Sequence, residues 1–152
     1  MRAVLQRVNR AAVRVDGEVV GEITRPGLMV LVGATHDDGP EQVATVARKI
    51  AELRLFDGAA SEGERGSEVS VSDLGAPVLV VSQFTLYADI KSRRPGFTKA
   101  APPAVAIPLY ETFLDLCRAR GFQVEHGAFG ADMAVQSVND GPVTIWMDTE
   151  TL

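Results

Sequence analysis

Ser82, Gln83, Thr85 and Tyr87 place hydroxyls, an amide and a phenol directly after the apolar run Val78-Leu79-Val80-Val81. Apolar residues that give way abruptly to polar ones mark a strand leaving the core, and convergent polar groups at such an end are what a site requires. The chemistry on offer is that of fixed donors. Backbone N–H groups at the strand end, with the Gln83 amide, can stabilise charge developing on a carbonyl oxygen, and the Thr85 hydroxyl can attack or orient a water. Ser82 and Phe84 complete the segment. The competing reading is a strand end whose polar groups satisfy only local backbone.

Asn139-Asp140-Gly141-Pro142-Val143-Thr144 is the second unusual segment. Asp-Gly ordinarily signals a tight hairpin, but Pro142 cannot donate to a ladder, so the turn must be irregular and Gly141-Pro142 is a candidate cis bond. A rigid turn of this kind presents its carbonyls outward; an ordinary loop proline is the alternative. Lys91, Arg93, Arg94 and Lys99 follow the polar strand end with no acid among them. They suit either a phosphate backbone or a solvated loop.

Familiar catalytic devices are missing from the sequence: no Gly-x-Ser-x-Gly elbow, no Gly-rich phosphate loop and no paired histidines for zinc. His36 and His126 lie in loop-like contexts and read as structural, although a base or ligand role for His36 beside Asp37 and Asp38 stays open. Cys117 sits on an apolar helix face and reads as a small hydrophobe. No metal and no cofactor are expected.

With 152 residues, 46% hydrophobic and 23% charged, the chain suits a single domain over residues 1–152. A formal net charge of -5 argues against a protein that coats nucleic acid indiscriminately, DNA included, while leaving room for a local basic patch. No apolar run approaches the ~20 residues that span a bilayer, and Arg7 and Arg10 interrupt any signal-peptide core. A cytoplasmic location without membrane attachment is expected, and the lone cysteine fits a reducing compartment.

The elements that must position these groups are legible. Val4, Val8, Ala12, Val13 and Val15 lead to the Asp16-Gly17 hairpin signal, with Val19, Val20 and Ile23 on the return strand. Leu28 to Gly33 is apolar on both faces and predicts a central strand. Asp38 and Glu41 suggest a capping box for a helix carrying Val43, Val46, Ala47, Ile50 and Leu53 on one face. Asp57 to Gly75 reads as a long exposed connection. A strand over Val78 to Tyr87 is followed by a second helix with Ala106, Leu109, Tyr110, Phe113, Leu116 and Cys117 in one stripe, ended by Gly121. Pro108 requires that helix to begin near Ile107 or to kink. Phe122 to Glu125, Met133 to Asn139 and Val143 to Met147 predict further strands, the last two flanking Asp140-Gly141-Pro142.

Taken together, Met1 to Val8, the hairpin with Gly17 and Gly21, Gly27 to Gly33, Ser82 to Asp89, Arg93-Arg94-Pro95 with Phe97, Phe129 to Met133 and Asn139 to Thr144 resemble the D-aminoacyl-tRNA deacylases along nearly the whole chain. The resemblance implies an α+β fold with a curved, barrel-like, mostly antiparallel sheet and two principal helices, working as a homodimer. It implies hydrolysis of the ester of D-aminoacyl-tRNA, and of glycyl-tRNA mischarged on alanine tRNA, with rejection of L-amino acids. Ser82, Gln83, Phe84 and Thr85 would be catalytic. Gly141 and Pro142, as a cis pair entering the partner's site, would grip the substrate amino group, with Met133 and Asn139 also binding substrate; Lys91, Arg93, Arg94 and Lys99 would meet tRNA. Glu62 to Glu68 and Gly96 depart from the family's usual Gly-Lys-Met-Asn-like and Arg-Arg-Pro-Ser-Phe patterns. A general hydrolase of small D-amino-acid esters, or a dimeric module binding RNA or a small ligand, would use the same pocket.

Overall fold

β1 (Arg2–Val15) organises the sheet in the computed structural model, which describes residues 1–58 and 68–152. Its Asp16-Gly17 turn has positive φ at both residues, +50° and +80°, as a two-residue hairpin requires, and returns into β2 (Glu18–Ile23). β3 (Gly27–Gly33) pairs antiparallel with the first half of β1, from Arg2 to Val8, whereas β2 pairs with its second half, from Ala11 to Val15. The opposite edge of β1 is covered from Arg2 to Arg14 by β8 (Ala134–Asp148), also antiparallel. β4 (Arg54–Asp57) and β5 (Glu68–Ser70) form a separate small ladder.

β6 (Val78–Ser82) runs parallel to β3, and β7 (Val124–His126) runs parallel to β6. The sheet is therefore mixed but mostly antiparallel, as expected, and its parallel part arises because the long α-helical return after β3 delivers β6 in the same direction. β2 then comes against β7 and nearly closes a barrel. The approach is backbone-close: a Cβ on Gly21 would stand 2.3 Å from the His126 carbonyl oxygen.

Alternation along the strands divides the apolar side chains between two cores. Leu28, Val30, Val78 and Val80 face outward to the helices with Ala3 and Leu5, while Met29, Leu79 and Val81 fill the barrel with Val8, Ala11 and Val13. β1 changes face between Leu5 and Val8, where its pairing with β8 shifts register. Such irregularities bend a strand, which is how one strand serves both halves of the barrel.

α1 (Pro40–Glu52) buries Val43, Val46, Ala47 and Ile50 on the outer core, a contribution of about 1.5–3 kcal/mol for each larger side chain. Its cap differs from the expected one. Gly39 is the N-cap, and its N–H donates to Gln42 Oε1 at 2.9 Å. Asp38 instead accepts from the Met1 amino group at 2.6 Å and from the Thr35 N–H at 2.7 Å.

α3 (Pro103–Ala119) starts upstream of the expected point and contains Pro108 within it. Its Tyr110, Phe113, Leu114 and Cys117 are buried. The Asp57 to Gly75 connection is shorter than expected, since β5 and the one-turn α2 (Val71–Leu74), capped by Ser70, occupy its end. The departure at Glu62 to Ser67 lies outside the described residues. No helix among the described residues is long and apolar enough to cross a membrane.

Gly21→Ala is expected to push β2 off β7 and to cost about 1–3 kcal/mol, the usual penalty of overpacking a closed site. Urea unfolding measures it; a midpoint equal to wild type would show that β2 tolerates a gap at this seam.

Candidate active site

The parallel β3–β6 pairing places the reactive segment. Val32 faces Ser82 across the ladder, and the next N–H, that of Gln83, donates to the Val32 carbonyl at 2.7 Å. The expected strand to Tyr87 ends here. Phe84 to Tyr87 form a single 3-10 turn, in which Leu86 N–H donates to Gln83 O at 3.2 Å and Ala88 N–H to Thr85 O at 3.0 Å. Gly33 allows this turn to lie down on β3, because a Cβ there would be 2.6 Å from the Gln83 carbonyl oxygen.

A cavity of about 620 Å³ opens beside the turn, bordered by Ser82, Gln83 and Phe84 on one side and by Tyr110, Phe129 and Met133 on another. Its wall is strongly aromatic. Phe84 meets Phe97 edge-on at 5.1 Å between centroids, and Tyr110 meets Phe129 at 5.7 Å. Paired rings of this kind suit a flat or apolar ligand group between them. The Tyr110 hydroxyl donates to Val80 O at 3.3 Å, and burial pushes its pKa up to about 12, so it stays protonated.

No carboxylate, imidazole or cationic side chain borders the cavity among the described residues. What it offers are hydrogen-bond donors. Gln83 spends its N–H on Val32 and one of its two side-chain amide hydrogens on Thr85 Oγ1, which leaves the second side-chain hydrogen as a donor beside the cavity. The N–H groups of Phe84 and Thr85, at the start of the 3-10 turn, have no acceptor among the described residues. Neighbouring amides that project together can stabilise an oxyanion. Thr85 itself is exposed and does not border the cavity; its hydroxyl accepts from the Gln83 side chain and has no base against it among the described residues.

The remaining expected site residues divide by location. Met133 and Val135 reach the cavity, whereas Gly141, Pro142 and Asn139 do not border it within this chain. β8 is one continuous strand rather than the two expected: Thr144 pairs with Gln6 and Asn139 with Val8, so residues 140–143 loop out opposite Arg7 alone. The Gly141-Pro142 bond in this loop is cis. Asn139 clasps the loop, accepting from Val143 N–H at 3.3 Å and donating to Thr144 Oγ1 at 3.0 Å. Arg7 holds it from behind, through Asp140.

Lys91, Arg93, Arg94 and Lys99 are all exposed on the loop that contains Phe97. That loop is pinned by paired Asp89 and Gly96 backbones, by Thr35 Oγ1 donating to Lys99 O at 2.6 Å, and by His36 Nε2 on Thr98 O at 2.7 Å. His36 thus works as a tether, and His126 is bonded to Gly127 O. At Gly96 a Cβ would meet only Asp89 Cβ, at 4.0 Å, so the departure from serine removes no needed space. Cys117 is buried, which raises its pKa to about 12 and leaves a poor nucleophile. Sequence reading missed Tyr110, Phe129 and Val135 as cavity residues; the first looked like core stripe, which it also is.

A family profile described as D-Tyr-tRNA(Tyr) deacylase matches residues 4–148. A D-aminoacyl-tRNA deacylase of Kineococcus radiotolerans is 58% identical over 149 residues, covering 97% of this chain and 99% of that one. One of Acidothermus cellulolyticus is 52% identical over 151 residues, 99% and 100% of the two chains. Among solved structures, one titled c-Myc DNA Unwinding Element Binding Protein superposes with a TM-score of 0.88 at 39% identity, over 98% of this chain and 99% of that one. A probable eukaryotic D-amino acid tRNA deacylase superposes with a TM-score of 0.81 over 96% and 97%; at 18% identity this likeness is one of fold.

Gly33→Ala is expected to lift the 3-10 turn off β3 and misdirect the Phe84 and Thr85 N–H groups. Displacements of about an ångström at a reacting centre cost about a hundredfold in rate. Turnover measured beside a melting curve checks it: a folded variant with wild-type turnover would mean the turn need not rest on β3.

Proposed function

Because this chain belongs to the D-Tyr-tRNA(Tyr) deacylase family, we propose that it hydrolyses the ester linking a D-amino acid to tRNA, and likewise glycyl-tRNA mischarged on alanine tRNA. The observation that carries the reading is the pair of unpaired N–H groups of Phe84 and Thr85 beside an aromatic cavity that has no acid–base side chain among the described residues. An aminoacyl ester is already activated, so orientation and oxyanion stabilisation suffice. Water attacks the carbonyl carbon, the N–H pair holds the tetrahedral oxyanion, and collapse breaks the bond to the ribose oxygen, which leaves with a proton. Thr85, without a base, positions rather than attacks. The adjoining ribose hydroxyl assists the proton transfer and separates RNA from DNA.

Selection of D over L falls to Gly141 and Pro142 of a second subunit. Gly141 and Pro142 are exposed and do not border the cavity of their own chain, and β8 beside them carries the exposed apolar residues Val135, Val138 and Trp146. A twofold copy packed on β8 would cover these residues and bring the loop's carbonyls to the partner's cavity, where they would accept from the substrate amino group. Backbone recognition leaves the side chain of the amino acid unread, so many D-amino acids would be accepted. Such an enzyme works in the cytoplasm, where charged tRNA is found.

Incubation with matched D- and L-aminoacyl-tRNA tests the reading: release of the D-amino acid with the L-ester intact is the expected result. Equal turnover of both would remove the chiral role and leave a general esterase, and binding without turnover would leave a binding module.

Lys91, Arg93, Arg94 and Lys99 supply the tRNA contact. In an acidic chain they form an exposed cationic run next to the cavity, and they lack carboxylate partners among the described residues. Arg93→Glu with Arg94→Glu is expected to weaken tRNA binding and to lower the slope of log K against log salt by about 1 for each phosphate that is no longer neutralised. Melting temperature should hold, since exposed unpaired charges contribute little. Identical salt slopes for variant and wild type would mean these arginines face solvent only.

A further inference from the structure

Arg2 lies outside the cavity, yet it touches the turn that borders it. Its NH1 donates to the Leu86 carbonyl at 3.0 Å, and its Nε donates to Asp148 Oδ2 at 2.8 Å. The guanidinium carbon stands 4.4 Å from the centroid of the Tyr87 ring and 5.4 Å from that of Trp146. One cation thus joins β1, the end of β8 and both C-terminal residues of the 3-10 turn. The ring of Tyr87 is buried, and its hydroxyl has no partner among the described residues, so the ring face on Arg2 is its main specific contact.

We propose that Arg2 is a positioning residue for the hydrolysis, clamping the 3-10 turn through Leu86 O and Tyr87 so that the Phe84 and Thr85 N–H groups are held toward the reacting carbonyl. The assignment rests on the function proposed above. The turn is otherwise fastened at its beginning, through Gln83 N–H on Val32 O, and closed internally by Leu86 N–H and Ala88 N–H. At its far end the Tyr87 ring is seated by burial, and Arg2 supplies the polar anchor that fixes the Leu86 carbonyl beside it. Cation–π contacts and charge-assisted bonds suit such an anchor, because a partly desolvated guanidinium strengthens both. Asp148 is ionised to receive it: burial opposes the charge, but the Glu150 N–H and Arg2 together hold its pKa below the ordinary carboxylate value.

The amides meet charge that develops only in the transition state, so a loosened turn should lower kcat and spare KM. Arg2→Met is expected to reduce kcat on D-aminoacyl-tRNA about tenfold with KM within about threefold. Arg2→Lys, which keeps the cation and one polar bond, should recover part of the loss. Arg14→Met serves as control, since the Arg14 guanidinium bonds Gln136 on the neighbouring strand, at 2.6 Å, and no residue of the turn. Hydrogen exchange gives a readout independent of substrate: amides of residues 84–88 should exchange faster in Arg2→Met, and emission from Trp146, the sole tryptophan, should shift. If wild type does not hydrolyse D-aminoacyl-tRNA, the proposed function fails while exchange still decides whether Arg2 clamps the turn. Wild-type kcat with unchanged exchange in Arg2→Met overturns the clamp, as does an equal kcat loss in Arg14→Met. Should Arg2→Met not fold, Arg2→Gln takes its place: lowered kcat at constant KM supports the assignment, and wild-type kcat refutes it.

Discussion

β1 has only two edges and must serve three neighbours. β8 takes one edge throughout, so β3 and β2 share the other in succession, and β1 can satisfy both only by bending where its register with β8 slips. The bend has two consequences for the site. It turns the sheet into a nearly closed barrel whose wall includes the parallel β3–β6 pair, and it leaves residues 140–143 looped out opposite Arg7. The catalytic turn and the Gly141-Pro142 loop are therefore products of one strand's geometry. They emerge at separate places on the chain, and the proposed site, which uses both, therefore needs a second subunit.

Much of this was legible because alternation, turn chemistry and helical spacing each leave a local trace. The Asp16-Gly17 hairpin, the buried β3, the apolar face of α1 and the polar end of β6 follow from residue type and order alone. Other features depend on distant partners and leave none. Asp38 looks like a cap, but the Met1 amino group and Thr35 N–H claim it, and only the fold brings Met1 near. Pro108 lies inside α3 although it removes a donor, since the buried stripe of Tyr110, Phe113 and Cys117 outweighs a local bond. The Gly141-Pro142 segment resembles a hairpin turn until one knows that both flanking halves pair with β1.

The site was legible to a similar depth. Ser82 to Phe84 do border the cavity, as an abrupt polar end of a strand suggests, yet the division of labour among their donors was hidden. By residue type Gln83 is the natural oxyanion donor, yet its N–H goes to Val32 and one of its two side-chain hydrogens to Thr85, which ties the side chain to the turn. The other unspent groups are main-chain amides, which no residue type announces. Asn139, to which the family resemblance gives a part in substrate binding, also fastens the loop through its bonds to Val143 and Thr144, a local task its residue type does not announce.

A cavity bordered, among the described residues, by no carboxylate, imidazole or cationic side chain carries a physical demand that an acid–base site does not. Two backbone amides together are worth several kcal/mol to an oxyanion only if they are already aimed when charge develops, because the benefit of preorganisation is the reorganisation it avoids. Side-chain catalysts can rotate into place; amides move only with their chain. Rigidity of the turn is thus the source of the catalytic power ascribed to it, and the surrounding fold supplies it at each point: Val32 O receives the first N–H, Gly33 yields the space beneath, and the buried Tyr87 ring seats the far end against Arg2. The same logic extends to substrate choice. In the proposed dimer, carbonyls on a loop clasped by Asn139 and braced by Arg7 would present a fixed shape to the amino group and none to the side chain. Recognition of that kind discriminates handedness while remaining indifferent to which amino acid arrives.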